Sequence, residues 1–229
     1  MLRRCRKINE VCCLKATVAI VCCFLLACTT DSYEKGEGKY SLLQADFAEL
    51  SVNANKQGVS FITDEGAIYE LVPSFTAKWI ETADTTYRTI VYYDKTTATT
   101  ARAEAVGTVV TLSPVQHWRF KELPQDAIDL ESAWIAKNGK YLNLGLLVKT
   151  GRISDEELPH NIGLAQDTLY VHRDGRRTAC WRLLHNQNGI PQYYTNRRYV
   201  SIRIPTNVPD TIRLTIPTSE GPLQRDFTF

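Results

Sequence analysis

Leu42-Leu43-Gln44-Ala45-Asp46-Phe47-Ala48-Glu49-Leu50-Ser51-Val52 reads as a long strand whose phase slips halfway. Leu43, Ala45 and Phe47 share one face, and then Ala48, Leu50 and Val52 take the other. Side chains on a strand alternate with a period of two, so a one-residue change of parity marks a bulge or a sharp bend. A bent first strand lets a small sheet curl and close. The next residues supply four more strands. A turn over 53–58 leads to a strand over 59–63. Asp64-Glu65-Gly66 is a tight hairpin turn, followed by a strand over 67–72. A connector over 73–84 precedes a strong strand over 87–93. A Thr-rich turn over 95–100 precedes a strand over 102–112, interrupted by Gly107. Five short strands, a bent first one and a longer third-to-fourth connection suit a five-stranded barrel of the OB type, and periodicity alone also allows other small barrels.

The second half is also β. Leu142, Leu144, Leu146 and Val148 alternate, so one face is buried. A strand over 168–173, the turn Asp174-Gly175 and a return strand over 178–185 form a hairpin, and Asn188-Gly189 is another turn. Val200, Ile202 and Ile204 point inward while Ser201 and Arg203 point outward; Ile212, Leu214 and Ile216 repeat the pattern. Residues 113–124 hold two prolines and no clean period, which places a boundary there. The expected fold is all-β: a small OB-type barrel over 40–115, a linker over 116–124 and an immunoglobulin-like antiparallel β-sandwich over 125–229.

The N-terminus has a different character. Arg3, Arg4, Arg6, Lys7 and Lys15 precede an apolar run over 16–27. That run has about 12 residues, short of the roughly 20 that a transmembrane helix needs. A basic start, a short apolar stretch and a small residue before a cut form a secretory signal peptide over 1–27. Leu25-Leu26-Ala27-Cys28 resembles the lipobox of bacterial lipoproteins. The resemblance implies a diacylglyceryl thioether on Cys28 and an acylated amine, palmitate being one such acyl chain. Two or three chains anchor a protein firmly where one chain is marginal. Residues 28–39 are polar, with Gly36 and Gly38, and read as a tether. Thr29 does not resemble the acidic signal that retains lipoproteins in the inner membrane, so the outer membrane is the expected location, facing the periplasm or the surface.

Composition bounds the function. Six of the seven cysteines lie at or before Cys28, leaving Cys180 alone in the mature chain, so no internal disulfide is expected there. Cys180 sits in an alternating strand and reads as a small buried residue. The whole chain has a formal charge of +2. The five basic residues and one acid of 1–27, taken from totals of 27 and 25, leave 22 basic residues against 24 acids. No polybasic field remains to attract nucleic acid.

The order of short motifs in the mature chain resembles the NigD-like proteins of Bacteroides-type bacteria. The likeness runs through Ser132-Ala133-Trp134-Ile135, Tyr141-Leu142-Asn143-Leu144 and Leu183-Leu184-His185-Asn186. It continues through Tyr193-Tyr194-Thr195, Val200-Ser201-Ile202 and Asp210-Thr211-Ile212-Arg213-Leu214. It implies a lipoprotein with an N-terminal OB-type domain and a C-terminal β-sandwich. A bacteriocin-related role is implied by association with the gene set that gives the family its name. The resemblance carries over no catalytic residues.

Chemical motifs are sparse. His117, His160, His172 and His185 make no His-x-x-x-His pair, so no metal-ligand spacing is present; a hairpin offers a way to bring His172 and His185 together. No Gly-x-Ser-x-Gly elbow, phosphate loop or calcium loop occurs. Asp155-Glu156-Glu157 is a carboxylate run of the kind that is usually solvated. Two groups are candidates for ligand contact. Tyr92 and Tyr93 are adjacent barrel aromatics, of which one should point outward. Arg173, Arg176 and Arg177 flank a hairpin tip; they offer a grip for a phosphate, carboxylate or acidic partner, or they keep the hairpin soluble. The expectation is a non-enzymatic, lipid-anchored envelope protein, with no cofactor or metal, that binds another macromolecule or a glycan. The rivals are a structural subunit of an envelope complex or fibre, and an envelope hydrolase assembled from distant strands.

Overall fold

Alternating apolar residues from Ala48 to Val106 close a barrel, with Thr89 buried among them and its hydroxyl bonded to the Ala48 carbonyl. The structure, a computed structural model, describes residues 41–151 and 160–229. The leader, Cys28, the whole tether and the Asp155-Glu156-Glu157 run lie outside the described residues. The barrel consists of β1 (Gln44–Val52), β2 (Gly58–Thr63), β3 (Ile68–Phe75), β4 (Thr86–Lys95) and β5 (Thr100–Thr108), in the order β1-β2-β3-β5-β4. All of its ladders are antiparallel except β3 with β5. Leu50, Phe61, Leu71 and Val91 fill the interior, together with a ring cluster of Phe61, Tyr69 and Tyr93 whose centroids lie 4.9–5.4 Å apart. Turn chemistry agrees with the sequence. The Asn53 side chain accepts hydrogen bonds from the backbone N–H groups of Asn55 and Gln57, and Gly66 takes the positive φ of +87° that the Asp64-Glu65-Gly66 hairpin requires.

The phase slip in β1 has a different cause from a bulge at its middle. The register against β4 runs unbroken from Gln44 to Ser51, and the shift against β2 falls at Ser51/Val52. Ala48, Leu50 and Val52 face the barrel interior, whereas Phe47 faces the other way, towards Trp134 and Tyr199 of one sandwich sheet. Both faces of β1 are apolar in turn because each meets a different core.

The fifth expected strand also divides. It leaves the barrel at Val109, whose N–H bonds to the Arg88 carbonyl. Residues Val110–Leu112 form β6 and Val115–Gln116 form β7. Both belong to the sandwich sheets, so Val110–Leu112 and Val115, expected in the barrel, and Gln116, expected in the linker, are in sandwich strands. A 3-10 turn follows at His117–Arg119.

The remaining strands are β8 (Asp129–Ile135), β9 (Tyr141–Thr150), β10 (Asn161–Val171), β11 (Arg177–Asn186), β12 (Tyr194–Arg203), β13 (Thr211–Thr218) and β14 (Gly221–Thr228). One sheet has the order β14-β13-β11-β10-β7 and the other β6-β12-β9-β8. Their inner faces share one core, in which Leu142, Leu144, Leu146 and Ile202 meet Trp181, Leu183, Ile212 and Leu214. Each such aliphatic side chain contributes about 1.5–3 kcal/mol by leaving water. Most ladders are antiparallel. The pairs β6–β12, β7–β10 and β11–β13 are parallel, the last because the chain crosses to the other sheet through β12 before returning. Leu43–Phe229 cluster as one unit, so barrel and sandwich are parts of the same body.

Candidate functional site

Barrel and sandwich meet over an aromatic contact and a buried ion pair. Phe47 of β1 sits edge-on to Trp134 of β8 and Tyr199 of β12, at centroid distances of 5.4 and 5.3 Å. Beside them Arg88 of β4 is only 7% exposed. Its Nη1 and Nη2 each donate to an Asp64 carboxylate oxygen at 2.6 Å. Its Nε donates to Ser201 Oγ at 3.1 Å, and Nη2 also donates to Asn143 Oδ1 at 3.1 Å. Asn143 Nδ2 donates to Asp64 at 3.0 Å, and Ser201 Oγ donates to Asn143 at 2.7 Å. Asn143 and Ser201 occupy the outward parity of β9 and β12, yet both are fully buried because the barrel covers them. A buried charge is tolerated when it is paired and its hydrogen bonds are met, which this arrangement achieves.

Arg88 of this ion pair also lines a cleft of about 440 Å³, together with Glu49, Thr86, Tyr87, Thr108, Tyr141 and Arg203. The Tyr141 ring has the Arg88 guanidinium 4.0 Å from its centroid and that of Arg203 5.7 Å away. Tyr141 donates its hydroxyl to Glu49 at 2.8 Å, and Lys140 donates to the other Glu49 oxygen at 2.8 Å. Burial opposes the charge of Glu49, but the bonds from Lys140 and Tyr141 and the nearby cations outweigh it and hold the carboxyl below its usual value. Burial, together with the Glu49 carboxylate, raises the Tyr141 phenol, so it stays a donor. Arg203 is exposed and makes no ion pair among the described residues. The cleft therefore presents a satisfied carboxylate, an open guanidinium, two phenolic rings and threonine hydroxyls.

The histidines that come together are not the His172 and His185 that a hairpin could join. His185 stacks on His160, with ring centroids 5.2 Å apart, and the His172 ring instead bonds to Thr178 Oγ1 at 2.8 Å. His185 Nδ1 lies 3.1 Å from the Asp126 carbonyl, which only accepts, so that nitrogen carries the proton. His185 Nε2 then accepts from His160 Nδ1–H at 3.0 Å. This leaves His160 Nε2 buried, with no hydrogen-bond partner among the described residues. Burial, with the adjacent His185 and Arg198, pushes the His160 imidazole below its usual pKa. Among the described residues, no group of three or more His, Cys, Asp and Glu side chains is placed to hold a metal ion.

Of the expected ligand contacts, Tyr92 is 40% exposed but Tyr93 is 1% exposed. Tyr93 points into the barrel, where its hydroxyl donates to Asp46 at 2.7 Å, and burial with that carboxylate pushes its phenol up. It is a core residue, because strand parity turns one of two neighbours inward. Arg176 pairs with Asp174 across its own turn. Arg177 donates to Asn207 and to the Val208 carbonyl, and its backbone N–H bonds to Asp210, so it fastens the loop before β13. Arg173 is exposed at the hairpin tip. Tyr92 lies on the barrel strand β4 and the three arginines on or beside the β10–β11 hairpin; no contact among the described residues joins them. Cys180 is half-buried, and burial raises its thiol pKa. The residues that build the cleft were not singled out in the sequence. Asn143, a polar residue inside the apolar run Leu142–Leu144, was the one local sign.

No family model matches the chain, and no curated protein matches it in sequence. Solved structures do. A NigD-like immunity protein from Bacteroides caccae superposes with a TM-score of 0.62 at 20% identity, covering 81% of this chain and 97% of that one. A protein from Parabacteroides distasonis proposed to be toxin-related gives 0.61 at 17% identity, covering 82% and 93%. A Bacteroides fragilis protein proposed to be a lipoprotein gives 0.56 at 9% identity, covering 81% and 96%. At these identities the likeness is one of fold: this chain has the fold of the NigD-like immunity protein, in agreement with the resemblance carried by its motifs.

Proposed function

We propose that this chain is a non-catalytic, lipid-anchored protein of the outer membrane that captures a macromolecule or a glycan. The observation that carries the reading is the cleft between barrel and sandwich, whose lining residue Arg88 is held in place by hydrogen bonds with Asp64, Asn143 and Ser201. Clefts between packed sheets are common ligand sites, and a saturated network fixes the geometry before a ligand arrives. The same saturation argues against turnover there, because the Arg88 and Asp64 side chains that would supply charge are bound to each other. The lipobox-like leader and the Bacteroides fragilis neighbour support the anchor and the envelope location. The Bacteroides caccae neighbour supports a bacteriocin-related role.

Metabolic labelling tests the anchor: radiolabelled palmitate should enter the wild-type chain and be lost in Cys28→Ala. Crosslinking in intact cells, followed by recovery of the lipidated chain, tests capture. A specific envelope protein or glycan should be retained, and recovery of the bare chain alone would overturn the reading. Deleting the gene should raise sensitivity to a co-encoded or sibling-strain toxin if the immunity role holds.

A second reading, a structural subunit, is favoured by one edge. Among the described residues, strand β10 is covered by β7 only at Ala165 and Gln166, and the exposed residues Leu169, Tyr170 and Val171 follow beyond that cover. An exposed apolar edge of this kind suits strand addition. Concentration-dependent assembly of the purified chain, abolished by Tyr170→Lys, would favour this reading over capture.

A further inference from the structure

We propose that the cleft behind Tyr141 binds an acidic sugar, a uronic acid residue of a glycan, with Arg203 pairing its carboxylate. This rests on the glycan branch of the capture reading and gives it a site and a ligand class. The charges in the cleft do not balance. Asp64 neutralises Arg88, and Lys140 neutralises Glu49. Arg203 is left at the rim, exposed, with its guanidinium 5.7 Å from the centroid of the Tyr141 ring. A guanidinium matches a carboxylate through two parallel charge-assisted hydrogen bonds.

The other groups select what the carboxylate is attached to. Glu49 is acceptor-only when ionised and has oxygen lone pairs beyond those used by Lys140 and Tyr141, so it favours a ligand rich in hydroxyl donors. Thr86 and Thr108 add exposed hydroxyls. Half-buried Tyr87 supplies a ring wall, and the almost fully buried Tyr141 stands behind it. The volume, about 440 Å³, falls within the range of about 300–1,000 Å³ usual for ligand cavities and has room for a monosaccharide unit. A phosphate brings more negative charge and no carbon skeleton, and it would meet Glu49. A free amino acid would set its ammonium against Lys140, which already holds Glu49.

Ligand-observed NMR titration of the purified full-length chain in detergent tests the assignment, with glucuronate, glucose, inorganic phosphate and glycine as probes. Glucuronate should bind, and glucose should bind about tenfold more weakly, the loss expected from one charge-assisted pair. Arg203→Ala should weaken glucuronate by the same factor of about ten, while Arg203→Lys, which keeps the charge but not the fork, should fall between. Thr108→Val, at an exposed position, gives a second variant should Arg203→Ala fold poorly; it should weaken glucuronate several-fold. Equal binding of glucose and glucuronate, preference for phosphate or glycine, or unchanged affinity in the variants would overturn the assignment. The wider reading fails separately. If wild type and Arg203→Ala capture the same envelope partner in cells, capture stands and the acidic-sugar site falls; if wild type captures nothing, the capture reading falls.

Discussion

Arg88 is the residue on which the junction depends. Its side chain is 3% exposed and that of Asp64 13%, so neither charge has water to turn to when the other is removed. Breaking a buried pair from one side costs about 3–5 kcal/mol, more than the pair itself is worth against apolar replacements. Arg88→Met and Asp64→Leu should each lower stability by about that amount in urea denaturation, and the double variant should lose less than the sum of the two. Additive losses would mean that the residues do not act as a pair. His160 makes the second prediction. Its imidazole is held neutral by burial and by the neighbouring His185 and Arg198, below the ordinary value of 6.5. The unfolded chain therefore takes up a proton first as pH falls through about 6.5, and stability drops toward the lower folded value. The depressed carboxyls of Glu49, Asp174 and Asp226 act only below their ordinary values of 4.5 and 3.8, so the window between pH 8 and 5 excludes them, and the difference between wild type and a His160 variant reads the histidine. The urea midpoint should decline over that window in wild type and decline less in His160→Phe.

At the scale of elements, β1 shows what alternation reveals and what it hides. The strands of barrel and sandwich were legible because each buries one face, and Leu142, Leu144, Leu146 and Val148 are all fully buried as their spacing implies. The second apolar face of β1 was legible as well, but its meaning was not: local pattern reports that Phe47 is apolar, not that Trp134 and Tyr199 wait for it. The same limit hid the cleft. Arg88 meets Ser201 across 113 residues of sequence and Asn143 across 55, so no window along the chain contains the site. Residues 110–116 were misplaced for a related reason, since a short strand is defined by the edge it covers. Phe47→Ala should therefore destabilise by about 2–3 kcal/mol, through lost area and two lost edge-to-face contacts. Ala45→Ser, on the same face but exposed, should stay within about 0.5 kcal/mol in the same denaturant titration. A near-zero effect of Phe47→Ala would show that the aromatic contact contributes little to holding the barrel on the sandwich.

The molecule as a whole behaves as one body or as two according to how strongly that junction couples the sheets. A barrel confined to Gln44–Thr108 is small, and domains of roughly 60 residues bury only about 60% of the surface of their unfolded chains, which leaves them marginal. The sandwich has the larger apolar core. On its own the barrel would melt first. Unfolding it in place would expose Phe47, Trp134 and Tyr199 and leave Asn143 and Ser201 without the guanidinium they bind, so the junction ties the two melting events together. Calorimetry of wild type should give one transition whose van't Hoff and calorimetric enthalpies agree. In an Arg88→Met/Phe47→Ala double variant the trace should split, with a smaller transition at lower temperature assigned to the barrel by the fluorescence of Trp79, which packs against the barrel core. Two resolved transitions in wild type would show that the network does not couple the halves, and would remove the fixed placement of Arg88 on which the cleft depends.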